Sequence, residues 1–329
     1  MSLAIGIVGL PNVGKSTLFN AITKSSVEAS NYPFCTIDPN VGVVPIPDHR
    51  LEVLAKISNT EKIIHAVTEF VDIAGLVAGA SKGEGLGNQF LSHIREVSAI
   101  AHVVRCFDDP NVVHVNGNVD PIRDIDVINT ELLLADLASA EKIVANQTKK
   151  AKGDKGEAEK LAVYERILKH VEKGEPVRTL ILENEEAQFK KGLSFLTDKK
   201  VIYVANINEN EITDSDNEFV KRVKEFAQQQ GDEVVVISAK IESELSELED
   251  EDKKEFMKDL GLEETGLSQL IKKCFSLLGL QTYLTTGKKE TRAWTIKKGM
   301  TGPQAAGVIH TDFERGYIRA NIVSYEDFI

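Results

Sequence analysis

Residues 9–16 read Gly-Leu-Pro-Asn-Val-Gly-Lys-Ser and match the pattern G-x-x-x-x-G-K-[ST]. The apolar run 3–8 precedes them, and the following segment 17–22 can begin a helix. A strand, a glycine-bounded turn and a helix start are the setting in which this pattern cradles nucleotide phosphates with backbone N–H groups. A chance match to the four fixed positions is expected in only about 1% of chains this long. The sequence therefore predicts a nucleoside triphosphate site in an α/β domain.

The positions of this phosphate-binding turn have separate predicted roles. Lys15 would reach the β- and γ-phosphates, and the Ser16 hydroxyl would be a ligand of Mg²⁺. The other residues would line the nucleotide mainly through their backbones, with the Thr17 hydroxyl as a further contact: Asn12, Val13, Gly14 and Thr17.

Two later segments supply candidates for the metal and the γ-phosphate. Thr36 lies in the proline-punctuated loop 32–40, where a nucleotide switch needs a hydroxyl for Mg²⁺; the alternative is an ordinary loop threonine. Asp72 follows the apolar stretch 66–71, at the carboxyl end of a predicted strand, where ligands bind in open α/β sheets. Asp72 would hold Mg²⁺ through water, and the Gly75 amide would sense the γ-phosphate. In this order the three residues predict a Mg²⁺-dependent site.

The sequence indicates less directly which residue acts on the attacking water. Residues 76–87 contain four glycines and fit either a switch that orders when the triphosphate binds or a flexible connection. Leu76 stands where small GTPases commonly place a glutamine that orients the attacking water, so we expect slow hydrolysis or another group. His114, in the loop after the predicted strand 100–107, is a candidate for that group. The alternative is a surface histidine.

The residue pattern changes between positions 125 and 173. Apolar residues recur at helical spacing on both sides of the lysine-rich segment 149–156, which predicts an antiparallel helical hairpin. The predicted apolar stripe of its second helix is Leu161, Tyr164, Leu168 and Val171. Because strand patterning resumes at residues 200–206, the hairpin is an insertion into the nucleotide domain. Its lysine-rich turn fits either contact with RNA phosphates or a solvated tip. Residues 281–329 predict a separate small α+β module.

The late strand runs into Asn206-Ile-Asn-Glu209, where GTPases carry N-K-x-D. The Asp of that motif accepts hydrogen bonds from N1–H and N2 of guanine. Ile207 replaces the lysine and Glu209 is a methylene longer than Asp, so we expect ATP to be preferred over GTP. Backbone groups near Ile207 would pair with adenine, and the Ile207 side chain would pack on the ring. Asn206 and Ser238, at the ends of two successive predicted strands, are assigned to the same nucleotide-binding edge.

Composition limits the class of protein further. The chain has 329 residues, 42% hydrophobic and 27% charged, which fits two or three globular domains. Runs of about 18 apolar residues, which a membrane span requires, are absent from the sequence, and a signal peptide is not recognisable, so we expect a cytoplasmic protein without membrane contact. The net charge of −12 argues against nucleic-acid binding by the whole surface, although five basic residues crowd positions 288–298.

Taken together, the motifs closely resemble the YchF/Obg-like ATPase family from residue 1 to residue 329. The resemblance is carried by G-L-P-N-V-G-K-S-T, N-Y-P-F-C-T-I-D-P-N, F-V-D-I-A-G-L-V-x-G-A-S-K-G-E-G-L-G-N-Q-F, N-x-N-E and R-A-W-T-I. It implies a P-loop NTPase mixed sheet with helices on both faces, an inserted coiled-coil hairpin and a small C-terminal β-grasp (TGS) domain. We place the nucleotide domain at residues 1–127 and 199–279, the coiled coil at 128–198 and the TGS domain at 280–329.

The same resemblance implies a function. It is that of an ATPase that prefers ATP over GTP, uses Mg²⁺, and associates with RNA and the ribosome, on its large subunit, through the coiled coil and the TGS domain. The family's nucleotide and metal positions correspond to residues 12–17, Thr36 and Ile207, and its loop histidine suggests His114 as the partner of the hydrolytic water. Since the chain stops at Ile329, short of the family's closing TGS strands, we expect a truncated C-terminal domain.

Three kinds of function fit these residues to different degrees. The preferred one is a Mg²⁺-dependent ATPase that works as a slow conformational switch on the translation machinery. A nucleotide-gated binding adaptor with incidental turnover, or a GTPase, is the alternative. A P-loop kinase with a small-molecule acceptor is disfavoured by the series Thr36, Asp72 and Gly75, and because the sequence has no recognisable lid rich in catalytic arginines.

Overall fold

A computed structural model describes residues 3–26, 40–74, 86–114 and 117–329, and the structural statements below concern these residues. The described strands, in chain order, are β1 Ala4–Val8, β2 Val41–Pro45, β3 Ile63–Ile64, β4 Val67–Asp72, β5 Ala99–Arg105, β6 Lys200–Asn206, β7 Glu233–Ile237, β8 Leu280–Thr286 and β9 Thr291–Lys297. The described helices are α1 Lys15–Lys24, α2 Arg50–Ser58, α3 Leu86–Glu96, α4 Pro121–Lys150, α5 Lys155–Glu172, α6 Asn184–Lys190, α7 Glu218–Gln230, α8 Ala239–Leu245, α9 Asp250–Asp259, α10 Gly266–Leu277, α11 Gly302–Gly307, α12 Thr311–Arg315 and α13 Tyr325–Phe328.

The central sheet has six strands in the order β2-β4-β1-β5-β6-β7. Strand β2 pairs antiparallel with β4, and every other neighbouring pair is parallel. All positions of β1 and β5 are buried, so both faces of the sheet are covered. A strand with both faces covered is predominantly apolar, as β1 is throughout and β5 is apart from His102 and Arg105. The predicted mixed sheet with helices on both faces is confirmed.

Parallel strands bring their carboxyl ends to one edge of the sheet. Strand β1 leads into the phosphate-binding turn, and β4, β5 and β6 end at Asp72, Arg105 and Asn206. Ser238 follows β7 directly. The predicted site residues therefore lie at the edge where open α/β sheets bind their ligands.

The predicted helical hairpin consists of α4 and α5. Helix α4 begins with a proline after the N-cap Asp120 and continues for 30 residues, about 45 Å at the usual helical rise. Asp154 caps α5 by accepting hydrogen bonds from two backbone N–H groups. The predicted boundary between residues 127 and 128 lies inside α4, so one unbroken helix runs from the nucleotide domain to the hairpin tip.

The buried stripe of α5 differs from the predicted one. Val163 and Ile167 are buried against Ala140, and Val171 is buried in the same cluster. Three residues assigned to the stripe are only half-buried: Leu161, Tyr164 and Leu168. The helical spacing was recognised, but the buried face is rotated by about one residue because it contacts both α4 and the returning chain.

Hydrogen bonds hold the base of the hairpin together, and an ion pair connects it to the nucleotide domain. The buried Asp136 carboxylate accepts from the backbone N–H groups of Leu196 and Thr197, each at 2.8 Å, and from the Thr197 hydroxyl at 2.6 Å. Arg178 pairs with Asp232 at 3.0 Å. A buried carboxylate needs such partners to offset the loss of water, so this junction has a defined geometry.

The C-terminal residues share a sheet with the N-terminal half. Strands β8 and β9 form an antiparallel hairpin, and β3 adds to β9 in parallel, with Ile63 opposite Thr291. The Thr60 hydroxyl also donates to the Gly287 carbonyl at 2.7 Å. The predicted C-terminal module is thus joined to the N-terminal half through β3, which comes from the segment before β4. Among the described helices, none combines the length and apolarity needed to cross a bilayer.

Candidate nucleotide site

The phosphate-binding turn has the backbone that its glycines permit. Gly14 has φ 93° and precedes α1, and Asn12 also has a positive φ of 64°. A Cβ on Gly14 would lie 2.3 Å from the Asn206 amide nitrogen, so both the backbone angle and the space require glycine. Among the described residues, no side chain caps the N-terminus of α1. Its first N–H groups, with the positive end of the helix dipole, are therefore available to phosphate oxygens.

The two predicted charged residues of the site meet. The Lys15 ammonium forms an ion pair with the Asp72 carboxylate, which links the start of α1 to the end of β4. Ser16 and Thr17, in the first turn of α1, are exposed. The basic, acidic and hydroxyl groups that a phosphate and its metal need thus lie side by side.

These residues fit Mg²⁺. The described residues hold no cluster of three His, Cys, Asp or Glu side chains that would make an all-protein metal cage. Mg²⁺ usually keeps several waters and takes one or two protein oxygens plus phosphate oxygens, so a cage is not needed. Ser16 and Asp72 are suitable oxygen ligands. Thr36, Gly75 and Leu76 lie outside the described residues, and their roles stay predictions.

Asn206 connects the phosphate-binding turn to the opposite side of the site. Its amide nitrogen donates to the Val13 carbonyl at 2.9 Å, and its amide oxygen accepts from the Ala239 N–H at 2.9 Å. The Cys106 N–H donates to the Asn206 backbone carbonyl at 2.8 Å. The Asn206 side chain was assigned to nucleotide binding. In the structure both ends of this amide are hydrogen-bonded to the protein, so Asn206 links the phosphate-binding turn to the segment after β7.

Ile207 is the residue that was predicted to pack on the base. Its side chain is 2% exposed and belongs to the hydrophobic core, and its N–H donates to the Ile237 carbonyl at 2.9 Å. The contact of Ile207 with a base ring, and that of the nearby backbone groups with adenine, stay predictions.

Glu209 and Ser238 lie on the segments that flank the base-binding edge. The Glu209 carboxylate is paired with the Lys240 ammonium, and the hydrogen bond from Lys240 lowers the Glu209 pKa. Glu209 is therefore held ionised beside a cation of the segment after β7. Ser238 is fully buried, and its hydroxyl has no hydrogen-bond partner within the described part of the chain.

His114 is buried rather than exposed on a loop surface. Its Nε2 lies 2.8 Å from a carboxylate oxygen of Asp124, which belongs to α4. The neighbouring Val113 carbonyl accepts a hydrogen bond from the Asn12 side-chain amide at 3.1 Å. The loop that carries His114 therefore contacts the phosphate-binding turn and α4 at the same time.

Two residues of this region were missed by the sequence reasoning. Asp124 is buried beside His114, and Arg105 is buried at the end of β5. A sequence signal for Arg105 exists, since it is the one charged residue in the buried run Ala99–Arg105. Asp124 has a weaker signal, because an acidic residue in the first turn of a helix is ordinary.

Two family models match the chain. Residues 4–147 match the model described as a 50S ribosome-binding GTPase. Residues 280–329 match the model of the C-terminal domain of YchF GTPases, which is described as a protein of unknown function.

Curated relatives match along the whole chain. The ribosome-binding ATPase YchF of Haemophilus influenzae is 56% identical over 330 residues, covering 100% of this chain and 90% of that protein. The protein of the same name from Bacillus subtilis is 54% identical over 331 residues with the same coverage. The solved structure of the Schizosaccharomyces pombe YchF GTPase has a TM-score of 0.85 and 40% identity, covering 96% of this chain and 86% of that one.

Proposed function

The chain belongs to the YchF family, and from this we propose that it hydrolyses ATP to ADP and phosphate at the site beside Gly14. The observation that carries the proposal is the meeting of Lys15 and Asp72 at the N-terminus of α1, which no described side chain caps. The names of the curated relatives, which are ribosome-binding ATPases, support it. Mg²⁺ is the proposed cofactor, held by Ser16 and, through water, by Asp72, with Thr36 as the third oxygen ligand.

The Lys15 ammonium pairs with Asp72 in the structure. In the proposed complex, Lys15 would bind the β- and γ-phosphate oxygens, and the Asp72 carboxylate would hold Mg²⁺ through water. Mg²⁺ would supply positive charge against the same phosphate oxygens. The N–H groups at the start of α1 and of Gly75 contribute further donors to the same oxygens.

His114 is proposed to orient the attacking water, because the aliphatic Leu76 cannot do so. Asp124 fixes the imidazole of His114 from the side of α4. Since His114 is buried, its loop has to shift toward the γ-phosphate in the nucleotide-bound state. A step that needs such a rearrangement fits slow turnover and the action of a conformational switch.

We further propose that ATP is preferred over GTP. The proposed partner is the ribosome, on its large subunit. The helical hairpin and the C-terminal domain would contact the ribosome and RNA. The description of the matching family model and the names of the relatives support this partner and a cytoplasmic location. A GTPase is the second candidate, because the Schizosaccharomyces pombe structure carries that name.

Calorimetric titration of the protein with ATP, ADP, GTP and GDP in the presence of Mg²⁺ tests the nucleotide. Multiple-turnover hydrolysis with and without ribosomes then separates a switch enzyme from an adaptor with incidental turnover. A rate that ribosomes stimulate supports the switch. A turnover that stays negligible with ribosomes, although nucleotide controls binding to them, supports the adaptor instead.

The role of His114 is tested with His114→Ala. We expect kcat to fall by about 100-fold while the ATP affinity is kept, as for a residue that acts on the water. His170→Ala is the matched control, because His170 lies in the hairpin and bonds Thr179. Parent-like turnover of the His114 variant would make His114 a bystander.

A further inference from the structure

Arg105 is 1% exposed, and its hydrogen bonds within the described residues all go to backbone carbonyls a few positions later in the chain. The acceptors are three carbonyl oxygens: Phe107 at 3.1 Å from Nε, Val112 at 3.0 Å from Nη1 and Asp109 at 3.3 Å from Nη2. The guanidinium carbon also lies 4.7 Å from the centre of the Phe107 ring. In the described part of the chain, no carboxylate lies within ion-pair distance of Arg105.

This arrangement depends on the shape of the guanidinium group. A buried cation without a carboxylate partner is costly, and here carbonyl dipoles and an aromatic face replace the water it has lost. The planar fork of arginine can reach several carbonyls in different directions, whereas the ammonium of lysine presents its donors at a single point. Arginine at position 105 therefore determines the path of the backbone around it.

The backbone so determined is the segment of residues 107–114, which we call the Arg105 loop. An additional bond from the Asn111 N–H to the Asp109 side chain, at 2.8 Å, tightens its middle. The last two residues of the loop make the contacts on either side: the Val113 carbonyl accepts from Asn12, and His114 pairs with Asp124. Arg105 bonds the loop directly before these two residues.

We propose that Arg105 is a positioning residue for nucleotide hydrolysis. Through the Arg105 loop it sets the location of His114 relative to the phosphate-binding turn. Arg105 is enclosed by its own loop, so it acts through His114 and not on the nucleotide. The proposal rests on the proposed function of His114, and the experiment below includes a signal that is independent of hydrolysis.

The test compares Arg105→Lys and Arg105→Gln with the parent protein. Arg105→Gln removes the buried charge and keeps two donors, so it remains informative if the lysine variant does not fold. Arg178→Lys is the matched control, since Arg178 is a half-buried arginine that binds Asp232 at the base of the hairpin. For each variant, we would measure the ATP affinity with Mg²⁺, the single-turnover hydrolysis rate and the NMR signal of the His114 ring, assigned by its loss in His114→Ala.

We expect the Arg105 variants to hydrolyse ATP roughly 10- to 100-fold more slowly, the loss typical of a reacting group misplaced by about 1 Å. The ATP affinity should stay within about 3-fold of the parent value, because the phosphate-binding turn keeps its own glycines and Lys15. The His114 signal should shift in the Arg105 variants. The Arg178 control should change neither the rate nor that signal.

A double variant decides whether Arg105 acts through His114. Arg105→Lys combined with His114→Ala should be no slower than His114→Ala alone. A multiplicative further loss, or an unchanged His114 signal in both Arg105 variants, would overturn the proposal. If His114→Ala alone hydrolyses ATP at the parent rate, the proposed function of His114 fails, and the His114 signal by itself then decides whether Arg105 positions the loop.

Discussion

The side-chain amide of Asn206 donates a hydrogen bond to the carbonyl of Val13 at 2.9 Å, although the two residues are 193 positions apart in sequence. The same side chain accepts from the Ala239 N–H. One buried amide thus joins the phosphate-binding turn to the segment after β7. Because Gly14 lies against this amide, the turn and the base-binding edge are built as one unit.

Replacing Asn206 by alanine should therefore weaken both the fold and ATP binding. The Val13 carbonyl and the Ala239 N–H would lose their partner, at about 1–3 kcal/mol of unfolding free energy for each unsatisfied group. Asn208→Ala is the control, because Asn208 caps the adjacent turn through hydrogen bonds with Asn210 and Glu211. Chemical denaturation and ATP titration measure the two effects. An Asn206 variant with parent-like ATP affinity would show that the Asn206 amide does not support ATP binding through the phosphate-binding turn.

Replacing Lys15 by alanine should abolish most triphosphate binding while the fold is kept. The loss of a charge-assisted contact to phosphate is expected to cost about 2–4 kcal/mol, roughly 30- to 1,000-fold in ATP affinity. Lys24→Ala is the matched control, since Lys24 ends the same helix and pairs with Glu247 at the surface. Circular dichroism checks the fold. Unchanged ATP affinity in the Lys15 variant would reject the phosphate site.

The segment Asn206-Ile-Asn-Glu209 should make ATP bind more tightly than GTP by about 1–3 kcal/mol, because a guanine-reading aspartate is absent. Ile207→Lys with Glu209→Asp should raise GTP affinity by restoring the N-K-x-D pattern. Because Ile207 is buried, Ile207→Lys is expected to lower the free energy of unfolding. The single variant Glu209→Asp shows the effect of the aspartate on nucleotide affinity without that loss of stability. Titration of each protein with both nucleotides decides the matter. A parent protein that binds GTP more tightly than ATP would contradict the prediction.

Glu242 should make stability depend on pH near neutrality. Its carboxyl is buried at the start of α10, where the N–H groups of Gly266 and Leu267 donate to it, and burial raises its pKa to about 7 from 4.5. Between these values the folded protein holds the proton that the unfolded chain has released. The free energy of unfolding must therefore fall as the pH rises through this interval.

Glu242→Gln removes this titration. The unfolding free energy of the variant minus that of the parent should rise by about 3 kcal/mol from pH 4 to pH 8, because the parent loses stability as Glu242 ionises. Glu244→Gln, an exposed position on the same helix, is the control and should follow the parent at every pH. Denaturation at several pH values gives the comparison. A constant difference between Glu242→Gln and the parent would show that Glu242 does not titrate in this range.

Much of the fold was determined by the sequence alone. The strands β1, β2, β4, β5, β6 and β7 and the helical hairpin follow from local apolar patterns. The phosphate-binding turn follows from its glycine pattern, in which Gly14 has the positive φ that glycine adopts readily. The sequence also assigned Lys15 and Asp72 to one site, although with phosphate and metal as their partners and not as an ion pair. Both residues sit at strand and helix ends that a parallel sheet brings to one edge.

The tertiary structure decided the rest. Nothing in the local spacing shows that β3 joins β9, that Ile207 turns into the core, or that His114 is buried against Asp124. The same holds for the carbonyls that Arg105 binds. A polar side chain finds its partner only after packing has removed water and brought distant segments together, and the cost of leaving a buried group unpaired then selects one arrangement. The sequence therefore determined which chemical groups line the site, and the packing determined how they are held.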